Sequence, residues 1–247
     1  MIYKPFHKLK PILTLLLIIT TCLACSKKAN LSFNEISITD TGETTIEINI
    51  PQAKGSKNIA TPINTTLAHF VNNALDIDAT NQNIADIKKS IDAFKNAYKT
   101  FKTQIGKTLY TSLPPWEVII DGELLYQNQT FASIVMNSSI NTGGAHNNLV
   151  VKFFNFNVAN GEILQIDTLI KDIPGFTVLA KKYFDKELLS ASDERMEAFK
   201  SDTFALPNQI GFSEDGVILF YQTFNTATNN IIEFTIPYTV ANNYLNF

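Results

Sequence analysis

The chain has 247 residues, 45% of them hydrophobic and 17% charged, with 20 Lys and Arg against 23 Asp and Glu. That balance excludes a disordered tail protein, a collagen-like repeat and a membrane protein of many spans. The acidic excess also argues against nucleic acid, whose binders carry a basic footprint.

The first residues divide into a positive start (Lys4, His7, Lys8, Lys10), an apolar middle from Ile12 to Ile19, and the close Thr20-Thr21-Cys22-Leu23-Ala24-Cys25. This order predicts a secretory signal peptide, its apolar run being shorter than the ~20 residues a membrane span needs. The only two cysteines are Cys22 and Cys25. Leu23-Ala24-Cys25 followed by Ser26-Lys27-Lys28 resembles a bacterial lipoprotein signal, departing from it in having Cys22 where an aliphatic residue is usual. The resemblance implies cleavage of residues 1–24 and lipidation of Cys25, with a palmitate-type anchor on a membrane of the cell envelope. Residues 25–30 then form a tether. Loss of Lys4, Lys8 and Lys10 without any acid leaves a more acidic, cysteine-free body. Such a body holds no disulfide, thiol nucleophile or cysteine metal cluster.

After the tether, Phe33, Ile36 and Ile38 precede a turn at Asp40-Thr41-Gly42, and Ile46, Ile48 and Ile50 follow it. These predict a hairpin ending at Pro51, with a loop from Pro51 to Lys57. Ile63, Leu67, Phe70, Val71, Ala74 and Leu75 predict a helix capped at Asn58 or Thr61. Ile84, Ile87, Ile91, Phe94, Tyr98, Phe101 and Ile105 alternate steps of three and four, the apolar stripe of a second helix stopped at Gly106.

From Pro114 to Asp172 the pattern predicts strands around Trp116–Ile120, Leu124–Tyr126, Phe131–Met136 and Leu149–Val158, with a two-residue hairpin turn at Asn160-Gly161. A helix after Pro174 takes Phe176, Leu179, Tyr183, Leu188 and Leu189 on one side, and Ser190 to Asp202 reads as irregular. Strands return at Ile210–Phe212, Val217–Phe224 and Ile231–Ile236, with a loop through Asn229-Asn230, and Pro237 opens a short last helix. The fold class is α+β, antiparallel sheets with helices mainly on one face. We place an N-terminal part at 31–157 and a C-terminal part at 158–247, packed as one unit.

Chemistry-bearing patterns are sparse. The body's histidines, His69 and His146, lack the spacing of a metal site, and no Gly-rich phosphate loop or Gly-x-Ser-x-Gly elbow occurs. We therefore expect no cofactor, no metal and no identifiable catalytic residue. Glu117, Asp121, Glu123, Glu162 and Asp167 are the carboxylates from which a glycan-cleaving pair would have to come. The stretch Asn141-Thr142-Gly143-Gly144-Ala145-His146-Asn147 reads either as a binding loop with exposed amides or as a strand connection that needs glycine. Its candidate binding residues are Thr142, Gly143, Gly144 and His146. Lys88, Lys95, Lys99 and Lys102 form a helix side that is either plainly solvated or faces acidic lipid or wall polymer.

Thr142-Gly143-Gly144-Ala145-His146, with Phe154-Asn155-Phe156, Asn160-Gly161-Glu162 and Leu169-Ile170, resembles a family of uncharacterised extracytoplasmic domains. Gly211-Phe212, Gly216-Val217, Leu219-Phe220-Tyr221 and Ile236-Pro237-Tyr238 fit its C-terminal half. That family occurs in the outer part of a lysozyme-sensing anti-sigma factor and beside the catalytic domain of some peptidoglycan deacetylases. The family's Tyr-x-x-Ala-Pro-Tyr-Ala type of loop is replaced here by Phe224-Asn225-Thr226-Ala227-Thr228-Asn229-Asn230, and we expect neither the deacetylase catalytic domain nor the cytoplasmic segment. The resemblance implies a non-catalytic, lipid-anchored envelope protein binding peptidoglycan or a wall-acting protein such as a basic muramidase (a lysozyme). The rival expectation is an envelope hydrolase using carboxylates near the Thr142–His146 loop.

Overall fold

The computed structural model describes residues 31–77, 86–106, 113–200, 203–225 and 228–247. Cys25, the signal segment 1–24 and the tether lie outside the described residues, as does Ile84. Residues Leu31–Phe247 make one compact unit, and among the described residues no helix is long and apolar enough to cross a membrane.

Five strands form the first sheet: β1 (Ser32–Thr41), β2 (Thr45–Lys54), β3 (Glu117–Gln127), β4 (Phe131–Asn141) and β5 (Asn148–Asn157), in that spatial order. All neighbours pair antiparallel except β2 and β3, which are parallel over Thr45–Asn49. That parallel pair requires a crossover, and helices α1 (Lys57–Leu75) and α2 (Ile87–Gly106) supply it.

The alternation read from sequence sets the faces. Ile46, Ile48, Ile50, Val118, Ile120, Ile134 and Met136 point inward and are buried. They meet the α1 residues Ile63, Leu67 and Val71 and the α2 residues Ile91, Phe94 and Tyr98 in one core. Of the expected α2 stripe, Ile91, Phe94 and Tyr98 are buried, and Ile87 and Phe101 pack partly buried against the same core. Trp116, just before β3, is held by the rings of Phe94, Tyr98 and Phe101 at centroid distances of 5.5, 5.5 and 5.3 Å.

A second sheet contains β6 (Ile210–Phe212), β7 (Gly216–Asn225) and β8 (Thr228–Pro237), all antiparallel. It packs with α4 (Ile173–Leu189) and the last helix α6 (Tyr238–Ala241) into a second core that also takes Phe131 from β4. Two short helices, α3 (Ile166–Leu169) and α5 (Asp193–Ala198), complete the unit. The sheets are stitched by the Phe212 amide donating to Ser133 Oγ at 3.0 Å and by Asn155 Nδ2 donating to the Ile210 carbonyl at 2.9 Å. Gly211 lies so close to Phe153 that a Cβ there would run into its ring.

The α+β class stands, with several local corrections. Strand β2 continues through Pro51 to Lys54. β3 accompanies β2 only as far as Asn49, so proline's missing N–H interrupts no ladder on that side. Helix α1 starts four residues earlier than Thr61, with Ser56 at its N-cap. The Asn160-Gly161 turn reverses the chain, with Gly161 at φ +76°, yet the returning segment forms only a single bridge between Phe156 and Ile163. Leu189 is 82% exposed, and the buried side of α4 is Phe176, Ala180 and Phe184, four residues apart. Ser190–Asp202 contains the helix α5, which Ser192 caps by accepting from the Arg195 amide. Asn229 and Asn230 belong to β8 rather than to a loop.

Candidate functional site

The Thr142–His146 loop connects β4 to β5 and is fully exposed. Its shape is set internally. Asn141 Oδ1 accepts from the Gly143 amide at 2.8 Å, Asn141 Nδ2 donates to Asn147 Oδ1 at 2.9 Å, and Asn147 Nδ2 donates to Ser139 Oγ at 2.9 Å. Gly143 has φ +90°, where a side chain is strained, whereas Gly144 does not have a left-handed φ. One of the paired glycines therefore meets a conformational requirement, and Thr142, Gly144 and His146 remain open to solvent.

Three connections meet at this end of the sheet. Register places Thr45 beside Glu117 and Glu117 beside Asn141. The turn before β2, the Pro114–Trp116 segment and the Thr142–Asn147 loop are therefore neighbours. Beneath them, Tyr98 Oη donates to the Pro114 carbonyl at 3.3 Å, and the Thr45 amide donates to the Trp116 carbonyl at 2.9 Å. Helix α2 is tied to the β1–β2 turn by Lys95 with Asp40 (2.7 Å) and Lys102 with Glu43 (2.6 Å). The Lys102 hydrogen bond, then its charge, holds the Glu43 carboxyl below its ordinary range, and Glu43 raises Lys102 in return. Two of the four lysines singled out on this helix are thus bound to the hairpin, so they do not form a continuous free face.

Of the candidate carboxylates, Glu117, Asp121 and Glu123 share the outward face of β3 and are exposed. Register sets Glu47 of β2 beside Ile119, between Glu117 and Asp121, and Glu35 of β1 opposite Pro51 on the same outward side. Ile119 is 44% exposed in the middle of this acidic row. Among the described residues, no Lys or Arg is paired beside Glu47, Glu117, Asp121 or Glu123, and the exposed Lys54 lies at the far end of β2. Asp121 accepts from Asn49 Nδ2 at 3.4 Å.

Glu162 follows β5 at the Phe131 end of β4, where the Asn157 amide donates to its carbonyl. At about 3.3 Å per strand residue, that is roughly 30 Å from the Thr142–His146 end. Asp167 sits in the first turn of α3. The structure therefore brings together three of the five acids, on an open face. General-acid chemistry draws on burial or on a close second acid to hold a proton, and this solvated face supplies no such burial. Among the described residues, no three His, Cys, Asp or Glu side chains converge as metal ligands.

Among the cavities lined by described residues, two that the sequence did not indicate border the second sheet. One of about 510 Å³ lies between α4, α5 and β7, walled by Phe184, Phe199, Phe204 and Tyr221 with Lys181 and Asp185 paired at its rim. The other, of about 320 Å³, lies where β5 meets β6 and is lined by carboxamides. Neither contains a pattern that spacing along the chain reveals.

Residues 38–148 match the family model described as deacetylase PdaC. The match begins in β1 and ends just after the Thr142–His146 loop. The fold is similar to that of a solved DUF3298 family member from Bacteroides fragilis, with TM-score 0.61 and 15% identity, covering 89% of this chain and 95% of that one. It is also similar to a DUF3298 family protein from Pseudomonas aeruginosa, with TM-score 0.52 and 17% identity, covering 88% and 94% of the two chains. No curated protein matches the chain.

Proposed function

We propose that this protein is a lipid-anchored, non-catalytic binding domain of the bacterial cell envelope that takes a basic wall-acting protein, such as a lysozyme, on the outward face of its first sheet. The observation that carries this reading is the group Glu35, Glu47, Glu117, Asp121 and Glu123, none of which has a Lys or Arg as its cross-strand partner, around the exposed Ile119. Complementary charge speeds encounter with a basic partner, and a central apolar residue gives it something to bury. The anchor at Cys25 belongs to the same proposal and holds the domain near the wall, because several acyl chains bind a membrane where one is marginal. The activity in the name of the matched family model belongs to that family's deacetylases. The support for a binding role here is an open acidic face where a hydrolase needs enclosed acids.

The test is capture of a basic lysozyme by the purified chain at low and at physiological salt. Binding should weaken as salt rises and fall at least tenfold in the Glu47→Gln, Glu117→Gln, Glu123→Gln triple variant. Equal capture by that variant, or none by the wild type, overturns the reading. Mass spectrometry of the chain isolated from membranes should find Cys25 acylated and first in the polypeptide, and an unmodified Cys25 removes the anchor.

A further inference from the structure

The cavity between β5 and β6 has an unusual lining. Asn155, Gln165, Asn208 and Gln209 contribute four carboxamides, and no charged side chain lines it. Phe153, Phe154, Ile163 and Ile210 supply the apolar surface, with Ile163 44% exposed.

Three of the amides are exposed to solvent. Gln165 precedes α3 at its N-cap, and its side chain makes no capping bond. Asn208 and Gln209 are exposed on the approach to β6. Asn155 differs. It is 6% exposed, its Nδ2 is committed to the Ile210 carbonyl at 2.9 Å, and its Oδ1 has no hydrogen-bond partner. A buried carbonyl oxygen left unpaired costs free energy that a donor brought from outside would recover.

The geometry points to this cavity as a site for one uncharged saccharide unit bearing hydroxyl and acetamido groups. Carboxamides donate and accept at once, as sugar hydroxyls do, so several can be matched by one ring. An anion or cation would find no counter-charge in the lining and would pay its desolvation uncompensated. The Phe and Ile surfaces suit the C–H face of a sugar ring or an acetamido methyl. A volume of about 320 Å³ is at the small end of ligand pockets, which span about 300–1,000 Å³, so it accommodates a single unit rather than a long segment. This inference shares the envelope setting of the proposed function and rests on other residues: Phe153 and Asn155 continue the outward face onto β5, where it meets β6, and no Glu or Asp lines the cavity.

The experiment uses the compact unit Leu31–Phe247, which contains both cores whole. Proton–nitrogen NMR follows its side-chain amides during titration with N-acetylglucosamine and with its linked trimer. Saturable shifts are expected at Asn155, Gln165, Asn208 and Gln209, and a Gln165→Ala, Asn208→Ala double variant should bind at least tenfold more weakly. Both substitutions are at exposed positions, so the variant should unfold like the wild type. No saturable shift at these amides overturns the site. So does a shift produced by an uncharged acetylated peptide and not by the sugar. Lysozyme capture by the double variant should be unchanged, so failure of one proposal is distinguishable from failure of the other.

Discussion

Lys102 shows how much a single residue's reading depends on its partner. On the sequence it is one lysine of a solvated helix side; in the fold its ammonium meets Glu43, 59 positions earlier. The depressed Glu43 carboxyl adds stability above its unfolded value, and this is lost as pH falls through the lowered folded value. The raised Lys102 adds stability below its ordinary value, and this is lost as pH rises through the raised folded one. The tie between hairpin and helix therefore spans the window between the two. A carboxyl NMR titration should place the Glu43 midpoint below the ordinary value of about 4.3, returning toward it in Lys102→Gln. The same midpoint in both proteins would contradict the pairing. As an exposed pair it contributes little to global stability.

At the scale of elements, the alternating isoleucines and the three-and-four stripe of α2 became the buried faces expected of them, because each reports only which side of its own element faces apolar surroundings. Boundaries were harder. Pro51 reads as a stop, yet β2 runs three residues past it with one ladder free. That extension is clamped by Asn64 of α1, whose Oδ1 accepts from the Ala53 amide at 2.8 Å and whose Nδ2 donates to the Ala53 carbonyl at 3.0 Å. Asn64→Ala should leave both groups unsatisfied in a partly buried place and cost about 1–3 kcal/mol in urea unfolding. The Ala53 amide should exchange faster. A change within experimental error in both measurements would show that the clamp is idle.

The whole molecule is joined by residues that serve both halves. Phe131 begins a strand of the first sheet but is fully buried in the second core, with ring centroids 5.0 Å from Phe212 and 4.7 Å from Phe247. Ser133 on β4 and Asn155 on β5 tie the first sheet to β6. Residues Leu31–Phe247 should therefore unfold in one cooperative step. Phe131→Ala should lower that single transition by about 3–5 kcal/mol, the usual cost of emptying a phenylalanine site in a core. Two separated transitions in calorimetry, with only the later half destabilised, would contradict this.

The Thr142–His146 loop was legible as a candidate because adjacent glycines and a histidine mark it within one short stretch. The acids of β3 were legible as an outward row by alternation alone. Whether Glu35 and Glu47 join that row, and whether Glu162 leaves it, depended on register between strands far apart in sequence. The carboxamide cavity had no signature at all. Asn155, Gln165 and Gln209 come from separate segments, and neutral amides scattered among loops are common. Local composition and periodicity determined the element types, the buried faces and the α+β class, since those follow from which side of each short segment avoids water. The parallel pairing of β2 with β3, the seam between the sheets and every convergence of side chains were settled only by tertiary packing, because they arise from contacts between residues the chain itself keeps tens of positions apart.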